Sequence, residues 1–286
     1  MATRIRNGRV QVDGTNVPFV ESRYTSASFV RPPKILVMHF TYGGTAASSA
    51  AWFNSPDNPG SSAQVVIERD GSIIQCVSFD RPAWHAGTSE WRDRHGNHIV
   101  GLNRSSFGIE LANWGFLKRA GSGWQTYTGR PIADPFMGVH RNGNPDGSTQ
   151  PIGWEDYPEA QIRSAVALAR AAVDAYGIDE IVGHDDIAPT RKWDPGPAFD
   201  MARFRELVFG DDGNADDSTA TGELTVNVTE GLNLRAGPGT QFAVMVLLAN
   251  GTRLKPLERQ GRWISVSVLQ NGLPVNTGWV HEAYVT

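Results

Sequence analysis

The sequence predicts an α/β protein, with a mixed β-sheet flanked by helices and then a small all-β barrel. Up to Gly210, short apolar runs of strand length alternate with helical patterns. A polar segment follows, and after it only short strand patterns and turn residues remain. Strands that alternate with helices are typical of a helix-covered sheet, whereas short strands alone are typical of a small barrel.

Strand patterns of the first part are short apolar or β-branched runs bounded by polar residues. They lie at residues 35–38 (ILVM), 65–67, 73–77, 107–111 (FGIEL) and 181–183. Asp70-Gly71 separates the second run from the third. Because this dipeptide readily forms tight turns between antiparallel strands, a hairpin is predicted there.

The strongest helical pattern covers residues 159–176. Its apolar positions recur at helical spacing, at Ile162, Ala165, Val166, Ala169, Ala172, Val173 and Tyr176. Pro158 is suited to the first turn of a helix, and Gly177 to its end. Two further helices are predicted at residues 46–53 and 199–209.

The clearest domain boundary is the polar segment after Gly210. Residues 211–221 contain four aspartates and no large apolar residue, which predicts an acidic linker. The expected domains are therefore 1–210 and 222–286, separated by that linker. In the second domain, strand patterns lie at residues 224–228, 244–248, 253–257, 263–268 and 278–280.

Composition excludes several classes of protein. The net charge is −4 and no dense basic run is present, so binding to nucleic acid is not expected. No window approaches the ~18 apolar residues of a membrane span, and no signal peptide is visible, so a soluble protein is expected. Cys76, the single cysteine, has no internal disulfide partner and is expected to be a small buried hydrophobe. The oligomeric state is left open.

Candidate catalytic residues lie at the ends of predicted strands. His39 follows 35–38, Glu110 lies within 107–111, and GHDDIAPTRKWDPG (183–196) contains His184, Lys192 and Asp194. Four of them have ordinary alternatives: His39 as a strand-end cap, Glu110 as an edge-strand acid, Lys192 as a surface lysine and Asp194 as a turn residue. Together, two histidines and one carboxylate form a known set of catalytic zinc ligands.

Five segments occur in the order typical of one family: VMHFT (37–41), AWHAG (83–87), SFGIELAN (106–113), YPEAQI (157–162) and VGHDDIAPTRKWDPG (182–196). With them, residues 35–210 resemble the N-acetylmuramoyl-L-alanine amidase type 2 family, which includes peptidoglycan-recognition proteins. The resemblance implies a zinc ion held by His39, His184 and Asp194, with water in the fourth position. Some family members use cysteine as third ligand; Asp194 stands there in this chain.

The resemblance also implies roles for residues around the ion. Glu110 matches the catalytic carboxylate and Lys192 the catalytic lysine, and His85 and Asn113 are expected to bind substrate. A structural role for His85 is an equal alternative. The implied reaction is hydrolysis of the amide between N-acetylmuramic acid and L-alanine. Zinc would activate water, Glu110 would transfer the proton, and Lys192 would stabilise the developing oxyanion.

The second domain contains GLNLRAGPGTQF (231–242), NGTRLKP (250–256), GRWISV (261–266) and TGWVHEAYV (277–285). These segments resemble the bacterial SH3-like family, which implies binding to the cell wall. A module that only stabilises the enzyme or mediates dimerisation is the alternative.

Peptidoglycan or muropeptides are the expected partners, and an endolysin or secreted effector that degrades the cell wall is the leading hypothesis. Such a protein is made in the cytoplasm and reaches the wall after lysis or by non-standard export. A cytoplasmic muropeptide-recycling amidase and a non-catalytic peptidoglycan-recognition protein are the alternatives. The SH3-like module fits recycling poorly, because a soluble fragment needs no wall anchor.

Overall fold

The computed structural model describes residues 2–210, 223–228, 231–240, 242–260, 262–270 and 273–286. Its contacts divide the chain into two compact units, with the division after Gly210. The expected linker at 211–221 lies outside the described residues. In the part of the chain that the structure describes, no helix combines the length and the apolar composition that crossing a bilayer requires.

Strands and helices alternate through the first unit. The strands are β1 (Thr3–Arg6), β2 (Arg9–Val12), β3 (Thr15–Asn16), β4 (Ile35–Phe40), β5 (Val65–Ile67), β6 (Ile73–Gln75), β7 (Glu90–Arg92), β8 (His98–Val100), β9 (Ser106–Leu111), β10 (Lys118–Ala120), β11 (Gly123–Gln125), β12 (Pro131–Ile132), β13 (Phe136–Gly138), β14 (Ile152–Trp154) and β15 (Glu180–Gly183). The α-helices are α1 (Ala46–Asn54), α2 (Glu159–Tyr176), α3 (His184–Ile187) and α4 (Met201–Phe209).

One central sheet organises this unit, with the strand order β15-β4-β9-β5-β6. The first four strands are parallel, and β6 pairs antiparallel with β5 across the turn that contains Gly71. Every residue of β4 except Phe40 is buried, as expected for a parallel strand covered on both faces. The predicted mixed sheet is confirmed, and all five predicted strands of this unit belong to it.

Helix α2 has the predicted bounds. Gly177 ends it with a φ of 63°, a left-handed conformation that glycine adopts without strain. Leu168 and Ala172 are fully buried, in the main core formed with side chains of β4, β5 and β9. The apolar stripe read from the sequence is therefore the face that covers the sheet.

The other element boundaries shift by small amounts for local reasons. Helix α4 begins at Met201, two residues later than predicted, because the Asp200 carboxylate caps it by accepting the Arg203 N–H. Strand β4 extends through Phe40, which places His39 inside the strand rather than after it. The small sheets β1-β2-β3, β7-β8, β10-β11-β12 and β13-β14 have no predicted counterpart, because strands of two to four residues show no clear period.

The second unit is an antiparallel sheet in the order β16-β19-β20-β21-β17-β18. Its strands are β16 (Leu224–Thr225), β17 (Leu232–Arg235), β18 (Val244–Leu248), β19 (Arg253–Gln260), β20 (Trp263–Gln270) and β21 (Leu273–His281). Leu234, Leu254, Val266 and Val280 are fully buried in its core. The all-β prediction is confirmed, although β17 was not among the predicted strands.

Candidate metal centre

Two neighbouring parallel strands position the histidines of the candidate centre. His39 lies in β4, and His184 follows β15 directly as the first residue of α3. The register pairs Gly183 with Met38, so the two histidines lie side by side at the carboxyl edge of the sheet. This edge is where open α/β sheets commonly place their functional groups.

Asp194 reaches the same point from the loop that follows α3. Its backbone carbonyl accepts the Asp185 N–H at 2.9 Å, which holds the loop against the helix. Its Oδ2 atom lies 2.9 Å from Nδ1 of His39 and 2.9 Å from Nδ1 of His184. The two Nδ1 atoms are themselves 2.9 Å apart. The structure therefore brings together, in one buried group, the three residues expected to bind a metal.

The protonation of this group suits a cation. Burial, assisted by the charge of His184, lowers the pKa of His39 to about 4, so its ring is neutral at neutral pH. Burial works against ionisation of Asp194, but His184 and His39 outweigh it and hold the pKa of Asp194 well below its ordinary value. Two imidazole nitrogens and one ionised carboxylate are a ligand set that fits a zinc ion.

The tautomer of His184 supports the same assignment. Its Nε2 atom lies 3.2 Å from the backbone carbonyl of Ala86. A carbonyl oxygen can only accept, so Nε2 is the nitrogen that bears hydrogen. Nδ1 faces His39 and Asp194, and with hydrogen on Nε2 it is the nitrogen whose lone pair can bind a metal.

Glu110 lies beside the group on the adjacent strand β9. The register pairs it with His39, and parallel strands in register present neighbouring side chains on the same face. Its buried Oε2 atom makes no hydrogen bond with any described residue. Burial, together with the charge of Asp194, raises the pKa of Glu110 to about 8, and Lys192 partly opposes this shift. An unpaired, half-buried carboxylate at a metal group is typical of catalytic sites.

Lys192 contributes positive charge close to His39 and Glu110. Its side chain is half-buried, and its charge lowers the pKa values of both His39 and Glu110. The ammonium therefore lies within electrostatic range of the group. Such a cation can stabilise negative charge that develops on a substrate oxygen.

His85 and Asn113, the two residues predicted to bind substrate, are both buried. His85 is buried behind the group, with Nδ1 3.1 Å from Nε2 of His39. Asn113 is fully buried; its amide donates to two backbone carbonyls, and its Oδ1 accepts the Gly115 N–H. Both side chains contact other parts of the protein here, and their binding of substrate stays a prediction.

A charged cluster beside α3 has no counterpart among the predicted site residues. The Asp185 carboxylate lies 3.0 Å from Nε2 of His140 and accepts from Arg141 at 2.7 Å. Since Asp185 directly follows His184, the cluster attaches the loop at 140–141 to the helix that bears a candidate ligand. The position of Asp185 next to His184 was a possible signal, but no local pattern connects either residue to His140.

The mixed sheet thus brings two histidines at its carboxyl edge together with an aspartate from the following loop, in one buried group that could hold a metal ion. The chain belongs to the N-acetylmuramoyl-L-alanine amidase family, whose profile matches residues 29–197. The bacterial SH3 domain profile matches residues 230–286. Both resemblances found in the sequence are thereby confirmed.

Two curated relatives show how far the similarity extends. The 1,6-anhydro-N-acetylmuramyl-L-alanine amidase AmpD of Escherichia coli (strain K12) is 37% identical over 149 residues, covering 51% of this chain and 58% of AmpD. The N-acetylmuramoyl-L-alanine amidase AmiD of the same strain is 32% identical over 182 residues, covering 62% of this chain and 54% of AmiD. The chain thus spans just over half the length of these relatives.

Solved structures of similar proteins include one of an AmpD and one of AmiD. A crystal structure of a selenomethionine AmpD derivative is 28% identical, covers 71% of this chain and 98% of its own, and gives a TM-score of 0.48. A complex of AmiD from E. coli with the substrate anhydro-N-acetylmuramic acid-L-Ala-D-γ-Glu-L-Lys is 25% identical. It covers 72% of this chain and 65% of its own, with a TM-score of 0.45.

Proposed function

We propose that this protein hydrolyses the amide bond between N-acetylmuramic acid and L-alanine in peptidoglycan, with one zinc ion as cofactor. The observation that supports this most is the convergence of His39, His184 and Asp194 beside the unpaired carboxylate of Glu110. Three protein ligands leave coordination positions for water and substrate, as in catalytic rather than structural zinc sites.

The chain's own residues divide the work of this reaction. His39, His184 and Asp194 would hold the ion, which would supply Lewis acidity when bound. Glu110 takes the proton of the attacking water and delivers it to the departing nitrogen; a pKa close to the reaction pH serves both steps. The positive charge of Lys192 stabilises the negative charge that develops on the carbonyl oxygen.

The relatives support the proposed bond. AmpD is named as a 1,6-anhydro-N-acetylmuramyl-L-alanine amidase, and the AmiD complex holds an anhydromuramic acid peptide as substrate. A soluble 1,6-anhydro muropeptide, cut by a cytoplasmic recycling enzyme, is therefore the second candidate. Recognition without cleavage is disfavoured, because His39, His184, Asp194 and Glu110 are all present and lie together.

Residues 230–286 favour the intact wall over a soluble fragment. The profile that matches them is that of a bacterial SH3 domain, and β18 is an edge strand of its sheet. Val244, Met245, Val246 and Leu247 are exposed on this strand and present an apolar surface. We propose that this surface contacts the wall and raises the local substrate concentration, as expected of an endolysin or a secreted effector.

Digestion of purified sacculi tests the reaction. The protein is incubated with sacculi, with and without a chelator, and the released ends are identified by mass spectrometry. New L-alanine amino termini that require zinc are expected. New reducing sugar ends without new L-alanine amino termini would show a glycosidase and refute the proposal.

A parallel assay on a soluble 1,6-anhydro muropeptide separates the two settings. A wall enzyme with a binding module is expected to lose activity on sacculi in the Met245→Asp and Leu247→Asp variants while keeping its activity on the soluble substrate. Equal loss on both substrates, or none on either, would contradict wall binding by β18. A rate far higher on the soluble fragment would favour recycling.

A further inference from the structure

Behind the group formed by His39, His184 and Asp194, a series of buried polar atoms extends from His39 into the protein. Nε2 of His39 lies 3.1 Å from Nδ1 of His85, and Nε2 of His85 lies 3.2 Å from Oγ of Ser106. The Ser106 hydroxyl lies 2.8 Å from the backbone carbonyl of Leu102. His39, His85 and Ser106 are all buried, so these contacts are not shared with bulk water.

The hydrogens of this series are determined from its far end. The Leu102 carbonyl can only accept, so the Ser106 hydroxyl donates to it and offers a lone pair to His85. Nε2–H of His85 donates to that lone pair, which leaves Nδ1 of the neutral His85 ring bare. Nδ1 of His85 can then only accept, and Nε2–H of His39 donates to it. Nδ1 of His39 is consequently bare and faces the metal group.

The backbone of Ala86 likewise determines which nitrogen of His184 bears hydrogen. The Ala86 carbonyl accepts Nε2–H of His184, and the Ala86 N–H donates to Oδ1 of Asn103 at 2.6 Å. Arg191 also donates to the Ala86 carbonyl, at 3.1 Å. Residues 85 and 86 thus contact the Nε2 atoms of both candidate histidine ligands, away from the Nδ1 atoms that face Asp194.

The missing side chain at Gly108 leaves the space that the His85 ring occupies. A Cβ atom at Gly108 would lie 2.5 Å from Cγ of His85, so the ring occupies the space that any other residue would fill. The Gly108 N–H donates to Oε1 of Gln64 at 2.7 Å, which holds that backbone against movement. The imidazole is therefore held on one side by strand β9 and on the other by His39, at a ring-centroid distance of 5.2 Å.

We propose that His85, supported by Ser106, is a positioning residue that fixes His39 with hydrogen on Nε2 and directs its Nδ1 lone pair at the zinc ion. This inference rests on the zinc site of the proposed function. In this proposal His85 acts through His39 rather than by contacting the substrate. Residues that orient a metal-bound histidine in this way commonly change metal affinity about 10- to 100-fold.

Zinc affinity of the full chain tests the proposal without reference to activity. Metal-free wild-type, His85→Leu, His85→Asn and Ser106→Ala proteins are titrated with Zn²⁺ against a chromophoric chelator. We expect His85→Leu to raise the zinc Kd about 10- to 100-fold and Ser106→Ala to raise it less. His85→Asn, which can keep an acceptor at the δ position, is expected to recover most of the loss. The exposed His98→Leu variant is the matched control, with an unchanged Kd.

An unchanged zinc Kd in His85→Leu, or a His85→Asn variant no better than His85→Leu, would overturn the proposal. Imidazole ¹⁵N spectra of the zinc-loaded wild-type protein give a test that requires no variant to fold. Hydrogen on Nε2 of both His39 and His85 is expected, and hydrogen on Nδ1 of His85 would refute the proposal. Wild-type protein with these tautomers and tight zinc binding, but no amidase activity, would overturn the proposed function alone.

Discussion

Oδ2 of Asp194 lies 2.9 Å from Nδ1 of His39, although 155 positions separate the two residues along the chain. His184 completes the group at the same distance from each of them. Buried nitrogen and oxygen atoms at such spacing, with a neutral ring at His39 and an ionised Asp194, form a ligand set suited to a zinc ion.

Loss of a ligand is expected to weaken zinc binding strongly. Asp194→Asn and His184→Ala should each weaken zinc binding by more than about 100-fold, the upper limit for loss of an outer partner. His184→Ala should also lose turnover. Zinc content after dialysis and competition titration measure the effect, with the exposed Asp134→Asn as control. Retention of tight zinc binding by either variant would exclude that residue as a ligand.

Glu110 is expected to be needed for turnover but not for metal. Glu110→Gln and Glu110→Ala should lower kcat about 10²- to 10⁴-fold, because proton transfer to the leaving nitrogen is lost. The zinc Kd should change little, since Glu110 is outside the ligand group. Steady-state kinetics and zinc titration are compared with Glu206→Gln, an exposed control. A variant with near wild-type kcat would eliminate Glu110 as the proton carrier.

Lys192 is expected to act in the transition state. Replacement by methionine keeps the length of the side chain but removes its charge, so kcat should fall about 10²- to 10³-fold while KM changes little. Zinc binding should persist. Lys118→Met, at an exposed position, serves as control. A rise in KM with unchanged kcat would instead assign Lys192 to ground-state substrate binding.

Cys76 is expected to be unreactive and dispensable. It is fully buried, and burial, with a smaller contribution from Glu110, raises the pKa of its thiol to about 12. Because the thiolate is the reactive form, a disulfide reagent at pH ~8 should leave the native protein unmodified and label one thiol in denaturant. Cys76→Ala should retain zinc. Rapid labelling of the native protein, or loss of zinc, would contradict this.

Two glycines allow backbone strain to be separated from steric contact. Gly71 and Gly96 have φ values of 88° and 85°, but only Gly71 is crowded, since a Cβ atom there would lie 2.6 Å from the Ala160 carbonyl oxygen. Gly96→Ala should lower the free energy of unfolding by about 1–2 kcal/mol through strain. Gly71→Ala should cost about 1–3 kcal/mol more, because the turn presses on α2. Calorimetric melting of the two variants measures the difference, and equal melting temperatures would contradict it.

Local sequence patterns were sufficient to predict the main helices and strands of the first unit. The apolar stripe of α2 and the turn at Asp70-Gly71 are properties of consecutive residues, so their periods and turn chemistry could be read directly. The short strands between Trp114 and Trp154 could not be predicted in the same way. Each is only two or three residues long and is held by its partner strand rather than by its own composition.

The residues of the candidate site were identified by type and motif, but their separate environments were not. His39 and His85 were both conspicuous in the sequence, yet nothing local distinguishes a ligand from the residue behind it. Ser106, whose Oγ lies 3.2 Å from Nε2 of His85, was hidden in an ordinary strand pattern. Nor did the sequence indicate that the Asn113 amide donates to two backbone carbonyls.

The sequence by itself determined the class of fold, the family and the set of side chains able to bind a metal, because periodicity and motifs are local properties. Only the tertiary structure decided which of these side chains meet. The parallel register of β15, β4 and β9 places His184, His39 and Glu110 side by side and sets His85 behind them. Such contacts depend on the packing of segments far apart in the chain, which no local pattern specifies.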